Sequence, residues 1–163
     1  MIKIPVRNFT KGRQGHCIKA VVLHITAGST RSTLFHFNDP KSYASAHYLV
    51  SPTEPYTAQL VPEEDTAWHT GVVYQPTWKG IKEGVNPNLY TIGIESVSPN
   101  SSYFPRWGQW VATATLLKDI CKRHDIPLDA IGVVNHSEIN AHKSGPGIYF
   151  GRKWMLILIK YVV

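Results

Sequence analysis

The stretch AIGVVNHSEINAHKSGPG, from Ala130 to Gly147, joins an apolar run to a cluster of polar side chains. The apolar run, Ala130 to Val134, has the length of a strand and predicts a buried one. The polar part that follows holds two histidines, a glutamate and a lysine, and it ends in Gly-Pro-Gly. Folds commonly place chemistry where a buried strand ends. The stretch therefore predicts a sheet and marks where a site would lie at its edge.

Other apolar runs of the chain predict the remaining strands. Ile18 to His24 is rich in β-branched residues and predicts a central strand that ends at His24. Tyr90 to Glu95 predicts a strand that ends on a carboxylate. Ala46 to Ser51 and Tyr56 to Val61 are separated by a proline-bounded turn, so they predict a hairpin. Together with the run that leads to His136, three predicted strands thus end at or just before a titratable residue.

Three helices complete the predicted fold. Ser29 or Thr30 is suited to cap a helix that runs to about Phe37. The clearest helix runs from Gln109 to His124, where apolar residues recur on one face. The last helix runs from Arg152 to Val162. We therefore predict an α/β fold: one domain over residues 1–163, with a mixed central sheet of about five or six strands and helices packed on its faces.

The composition is that of a globular protein without a membrane-spanning segment. The chain has 163 residues, 43% of them hydrophobic, which is ordinary for a globular domain. No apolar run reaches the roughly 18 residues of a membrane span, and the N-terminus shows no signal peptide. We expect a monomer, located in the cytoplasm unless it is released or is exported by another route. Cys17 and Cys121 suggest two buried free thiols, although one long-range disulfide stays open.

The net charge of +6 favours a polyanionic partner, such as nucleic acid, an acidic membrane surface or an anionic wall polymer. The basic residues are scattered and form no block of like charges, so we do not expect nucleic acid to be the partner. Solubility alone is the simpler explanation of the charge.

The three strand ends bring together a plausible set of metal ligands. If His24, Glu95 and His136 meet at one edge of the sheet, two imidazoles and a carboxylate converge. Two histidines with one further ligand and an open fourth position are typical of a catalytic zinc site. Each of these residues also has a simpler structural explanation, since a histidine at a strand end is more often hydrogen-bonded than metal-bound. The spacing matches no local zinc motif.

Five blocks in order give a sharper indication: VVLHITAG, SAHYLVS, AWHTG, YTIGIE and NHSEINAHKSGPG. Together they resemble the zinc-dependent N-acetylmuramoyl-L-alanine amidases of type 2, a family of phage endolysins, cell-wall recycling amidases and peptidoglycan-recognition proteins. The resemblance runs from about Ile18 to Gly147. It implies hydrolysis of the amide bond between N-acetylmuramic acid and L-alanine in peptidoglycan.

The resemblance also implies residue roles. His24 and His136 correspond to zinc ligands, and Glu95 to a general base or water-orienting group. Lys143 corresponds to a lysine that supports the oxyanion. Three further positions correspond to residues that line the substrate groove: His47, Trp68 and His69.

One position departs from the family pattern. The third zinc ligand is an Asp or Cys just before Pro-Gly in the family, and here that position is Gly145. Three explanations compete: two histidines hold zinc together with water or another side chain, His142 replaces the missing ligand, or the domain binds peptidoglycan without cleaving it. We expect an active amidase, and a catalytically impaired binding module is the alternative.

Overall fold

A six-stranded mixed sheet forms the centre of the computed structural model, which describes residues 1–163. The chain forms eight strands: β1 (Ile2–Lys3), β2 (Phe9–Thr10), β3 (Ala20–Ile25), β4 (Tyr48–Val50), β5 (Thr57–Gln59), β6 (Thr66–Ala67), β7 (Thr91–Ser96) and β8 (Val133–Asn135). The order across the sheet is β1-β5-β4-β7-β3-β8, and β2 pairs with β6 separately. The strands β4, β7, β3 and β8 run parallel, whereas β5 runs antiparallel to β4. The predicted α/β class and mixed sheet are confirmed.

Three α-helices accompany the sheet: α1 (Thr30–Asn38), α2 (Trp107–Arg123) and α3 (Arg152–Tyr161). Ser29 caps α1, since its hydroxyl accepts a hydrogen bond from the backbone N–H of Ser32 at 3.1 Å. The four residues that recur on the predicted face of α2 are all buried: Trp110, Ala114, Leu117 and Cys121. They pack with α3 against one face of the sheet in a core cluster of 17 buried residues.

The opposite face of the sheet is covered mainly by irregular chain, and this is the face that carries the site. The β3 residues Ala20 and Val22 pack there against Trp78, which belongs to the long segment between β6 and β7. The Trp78 indole N–H donates to the carbonyl of Ile131 at 3.0 Å. Both faces of β3 are therefore buried, as in other parallel sheets, and its next residue on this face is His24.

Several boundaries differ from the sequence-based expectation. Residues 1–17 contain the short strands β1 and β2, because their backbone pairs with β5 and β6. The predicted strand from Ala130 begins only at Val133, since the backbone N–H groups of Ile131 and Gly132 donate to the Asp129 carboxylate. Cys17 is exposed, contrary to the prediction of two buried thiols, while Cys121 is buried; both are free. No helix combines the length and apolarity needed to span a membrane.

Candidate active site

The strands β7, β3 and β8 lie side by side and end at the same edge of the sheet, where a groove of about 870 Å³ opens. Their parallel register sets Glu95 directly opposite His24, and His136 follows the last residue of β8. The structure thus brings the three strand-end residues together along one groove. The groove walls come from the loop after β3, from α1, and from the chain around Trp68, Asn100 and Gly145.

The two strand-end histidines face each other through the same ring atom. His24 Nδ1 lies 2.9 Å from His136 Nδ1. His136 Nε2 lies 3.0 Å from the carbonyl oxygen of Thr70. A carbonyl oxygen can only accept, so His136 carries its proton on Nε2 and donates it there. Its Nδ1 is left with a lone pair that points toward His24.

Burial keeps both imidazoles uncharged. It lowers the pKa of His24 well below its ordinary value, and the neighbouring His136, His69 and Lys143 lower it further. Burial also lowers the pKa of His136, with a smaller contribution from the charge of Lys143. A neutral imidazole is the form that binds a metal ion. The site is therefore in its metal-binding protonation state at neutral pH.

The pair of imidazoles fits two positions of a zinc site. Nitrogens each about 2.0–2.1 Å from a tetrahedral zinc ion lie about 3.3–3.4 Å apart. The 2.9 Å between the two Nδ1 atoms falls short by a few tenths of an ångström, which a small rotation of either ring supplies. The structure gathers no group of three or more His, Cys, Asp or Glu side chains able to hold a metal ion. The protein side chains thus offer two imidazole nitrogens at this point.

Glu95 and Lys143 add an acid–base group and a positive charge to the same groove. One carboxylate oxygen of Glu95, Oε2, is buried without a hydrogen-bond partner. Burial raises the pKa of Glu95 to about 8, and the charge of Lys143 opposes that rise. Lys143 itself is exposed, so its ammonium keeps access to water. The carboxyl group can exchange a proton near neutral pH.

Comparison with known proteins identifies the family. The sequence profile of the N-acetylmuramoyl-L-alanine amidases matches residues 14–148, which is most of the chain. This chain belongs to that amidase family. Among characterised members, it is 29% identical over 155 residues to N-acetylmuramoyl-L-alanine amidase A of Achromobacter lyticus, covering 80% of this chain and 77% of that one.

A second relative of the amidase is AmiD of Escherichia coli K12, with 34% identity over 148 residues. That match covers 82% of this chain but 50% of AmiD, so the chain spans about half the length of that relative. The solved complex of AmiD with anhydro-N-acetylmuramic acid-L-Ala-D-γ-Glu-L-Lys superposes with a TM-score of 0.69 and 32% identity, covering 90% of this chain and 57% of that one. AmpD shares the fold, with a TM-score of 0.74 at 20% identity over 97% of this chain and 93% of that one.

The position that departs from the family pattern lies beside the two histidines of the amidase. Gly145 lines the groove, and a Cβ atom built there would lie 3.7 Å from His136 Cβ and 4.0 Å from His136 Nδ1. These are ordinary contact distances, so a side chain fits at this position. His142 does not take its place, because its ring is exposed and stacks on Tyr74 with centroids 4.2 Å apart. His142 is also not among the groove residues.

The structure separates the three residues expected in the substrate groove. Trp68 is half-buried and lines the groove, held by a hydrogen bond of 3.0 Å from its Nε1–H to Thr10 Oγ1. His47 lies outside the groove and is fully buried behind it, where its Nδ1 accepts from the backbone N–H of Gly93. Burial and the nearby Arg13 lower the pKa of His47 to about 3. The structure therefore does not place His47 among the residues that line the groove.

His69 reaches the edge of the groove but is only 7% exposed. Its Nδ1 lies 3.0 Å from His24 Nε2, and its Nε2 lies 3.2 Å from Thr91 Oγ1. Both ring nitrogens are therefore occupied by protein partners rather than directed at the groove.

Sequence reasoning missed the partners that hold the histidines. No sequence pattern indicates that the Thr70 carbonyl or the Thr91 hydroxyl contacts a histidine. Gly93 did offer a signal, because a glycine inside a strand often marks a close approach. In the structure a Cβ on Gly93 would lie 2.6 Å from His69 Cγ, so the imidazole ring occupies the space that a side chain would need.

Proposed function

We propose that the chain hydrolyses the amide bond between N-acetylmuramic acid and L-alanine in peptidoglycan, using a zinc ion held by His24 and His136. The observation that carries the proposal is the 2.9 Å approach of the two Nδ1 atoms at the end of the groove. Membership of the amidase family supports the reaction. The neutral imidazoles of His24, which is buried, and His136, which is half-buried, support the metal.

His24 and His136 would hold the zinc ion, and its chemistry would be Lewis-acid polarisation of the scissile carbonyl and activation of water. Glu95 is the proton carrier: its carboxylate takes a proton from the attacking water and returns it to the leaving nitrogen of L-alanine. Amide and water thereby become a carboxylic acid and an amine. A pKa of about 8 suits a group that must accept and release a proton near neutral pH.

Lys143 stabilises the negative charge that develops on the carbonyl oxygen during attack. Its charge already acts on His24, His136 and Glu95, which supports a location close to the reacting atoms. Lysine donates up to three hydrogen bonds, so it suits an oxyanion whose position shifts during the reaction.

A relative supports the proposed substrate class. AmiD is solved with a muropeptide that contains anhydro-N-acetylmuramic acid. We propose that a muropeptide of this kind binds along the groove, with Trp68 offering an aromatic surface and Thr26 and Asn100 offering polar groups.

The test combines metal content with product analysis. Purified protein should bind zinc and release stem peptides with a free L-alanine amine from isolated cell wall. His24→Ala and His136→Ala should lose both properties, while His36→Ala, at an exposed histidine of the groove wall, should keep zinc. Chelation should abolish cleavage, and added zinc should restore it. A wild-type protein without zinc and without cleavage in added zinc would overturn the proposal.

A second candidate is a peptidoglycan-binding module that does not cleave. It is favoured by Gly145, which leaves two imidazoles without a third protein ligand. This candidate predicts sedimentation with insoluble wall but no peptide release at any zinc concentration. Release of stem peptides by the wild-type protein would exclude it.

A further inference from the structure

The hydrogen bonds behind His24 form a chain that ends at a backbone carbonyl. The Thr91 hydroxyl donates to the carbonyl oxygen of Pro87 at 2.8 Å. A hydroxyl has one proton, and this one is committed to an atom that can only accept. His69 Nε2 also lies 3.2 Å from Thr91 Oγ1, so in that contact the imidazole must be the donor.

The direction of each following bond is then fixed. A neutral imidazole has one N–H, and His69 uses it at Nε2, so its Nδ1 is an acceptor. His24 Nε2, at 3.0 Å, must therefore donate to His69 Nδ1. The lone pair of His24 is left on Nδ1, which is the atom that faces His136.

The same result holds on the other side of the site. The Thr70 carbonyl fixes the proton of His136 on Nε2, which leaves its lone pair on Nδ1 as well. Two lone pairs that face each other at 2.9 Å repel unless a cation or a proton lies between them. The two carbonyl oxygens, of Pro87 and Thr70, thus prepare both rings to bind a cation.

We propose that His69 is a positioning residue, which holds His24 in the Nε2–H tautomer so that its Nδ1 is free for the metal. Thr91 fixes the tautomer of His69 in turn. The proposal rests on the proposed zinc site, and it gives His69 a role in place of substrate contact. Metal-bound histidines commonly donate their other ring N–H to an acceptor such as a carboxylate or a backbone carbonyl, and loss of that acceptor typically costs 10–100-fold in metal affinity. Here the acceptor is His69 Nδ1.

The surroundings of His69 are built to hold its ring. Its backbone N–H donates to Asn88 Oδ1 at 3.0 Å, and Thr70 N–H donates to the same oxygen at 2.9 Å. The ring lies over Gly93, where any Cβ atom would meet it at 2.6 Å. These contacts leave the imidazole one position, between Thr91 and His24.

The test uses zinc affinity and the ring ¹⁵N signals of the metal-free protein. His69→Phe keeps a ring but removes the acceptor. We expect a zinc affinity about 10–100-fold lower, with His24 moving to the Nδ1–H tautomer that bonds to His136. His69→Asn places an amide oxygen near the old Nδ1 and should recover part of the affinity.

A second pair of variants keeps His69 itself. Thr91→Val should weaken zinc binding in the same direction, whereas Thr91→Ser should match the wild type. Thr113→Val is the matched control, because Thr113 is also buried and its hydroxyl donates to a backbone carbonyl, that of Gln109 in α2. It should leave zinc affinity unchanged.

The outcomes separate this inference from the proposed function. A folded His69→Phe variant in which His24 keeps its wild-type tautomer and zinc affinity is unchanged would overturn the positioning role of His69. The proposed amidase function would not be affected by that result. If that variant does not fold, the threonine pair decides: equal affinity in Thr91→Val and Thr91→Ser overturns the relay. A wild type that shows the expected tautomers but binds no zinc would overturn the zinc site and leave the hydrogen-bond assignment intact.

Discussion

Gly145 and Gly147, which follow β8, differ in whether the structure requires a glycine at their position. Gly147 has φ of +73°, and a Cβ there would lie 2.5 Å from the Ser101 carbonyl oxygen. Both its backbone and its surroundings require glycine. Gly145 has neither constraint, since the nearest atom to its Cβ would be 3.7 Å away. Backbone geometry therefore does not explain why a glycine stands beside the two histidines.

Gly145→Asp should strengthen zinc binding, because it adds a carboxylate within reach of the two imidazoles without a steric clash. Structural zinc sites gain about 10–16 kcal/mol in total, so one added ligand worth several kcal/mol should raise affinity about a hundredfold or more. Competition with a chromophoric chelator measures this. Gly145→Ala is the control and should bind zinc as the wild type does. Equal affinity in all three proteins would contradict the prediction.

Glu95→Gln should abolish most of the hydrolysis while preserving the fold. The amide cannot accept the proton of the attacking water, and loss of such a group typically costs 10²–10⁴-fold in rate. Stability at pH 7 should not fall, because burial already disfavours the charge that the substitution removes. Steady-state kinetics and thermal unfolding test both parts. Unchanged zinc affinity would show that the loss lies in proton transfer, and retained activity would exclude Glu95 as the base.

At the residue scale, the sequence indicated the strand-end residues better than their supports. His24, Glu95 and His136 could be predicted to meet because each closes an apolar run, and parallel strands end at one edge. His47 and His69 lie in motifs of similar appearance, yet one is buried behind the sheet edge and the other bonds to His24. Which way such a ring points depends on packing with residues far along the chain, and Thr91 and Pro87 give no local signal of it.

At the scale of elements, one carboxylate ties the end of α2 to the sheet. Glu63 accepts a hydrogen bond of 2.6 Å from the Tyr48 hydroxyl of β4. It also bonds Arg123 Nη2 at 2.7 Å, and His124 Nε2 lies at the same distance from its other oxygen. Burial alone would raise the pKa of Glu63, but these hydrogen bonds outweigh it and lower the pKa to about 2.

The Glu63 contacts predict that the free energy of unfolding decreases at acidic pH. A pKa lowered in the folded protein from 4.5 to about 2 contributes stability above about pH 4.5 that is lost as the pH falls toward 2. The shift corresponds to about 3 kcal/mol in the free energy of unfolding. Glu63→Gln should therefore be less stable than the wild type at pH 7 and nearly equal to it near pH 2, by urea unfolding.

The control for this prediction is the neighbouring Glu64, which is exposed. Glu64→Gln should leave stability unchanged at every pH. A Glu63→Gln deficit that stayed constant from pH 7 to pH 2 would show that packing, rather than the carboxylate charge, links α2 to the sheet.

The order of the strands and helices along the chain was easier to predict from the sequence than their lengths. The apolar runs and the α2 periodicity predicted every long strand and helix, because burial on both faces or on one stripe leaves a clear pattern. The strands β1, β2 and β6 were missed, since a two-residue pairing is set by its distant partner rather than by its own residues. The segment around Trp78 shows no apolar period, yet its buried indole packs on a sheet face together with other apolar side chains of the segment.

At the scale of the whole molecule, the net charge attracts a ligand over a long range, whereas the groove contacts a ligand only at short range. The chain carries 17 Lys and Arg against 11 Asp and Glu, a net charge of +6. The groove itself contributes few charged groups, chiefly Glu95 and Lys143. Attraction to an anionic wall should therefore come from the whole surface, whereas the proposed binding of a short muropeptide should depend on direct contacts in the groove.

This division predicts two different salt responses. Exposed charges are screened beyond about 10 Å at 0.1 M salt and about 3 Å at 1 M. Binding to isolated anionic wall should thus weaken steeply as sodium chloride rises across that range, by sedimentation assay. Cleavage of a short soluble muropeptide should change far less, because its contacts are confined to the groove. If both fell in parallel, the net charge would act within the site rather than by long-range attraction to the wall.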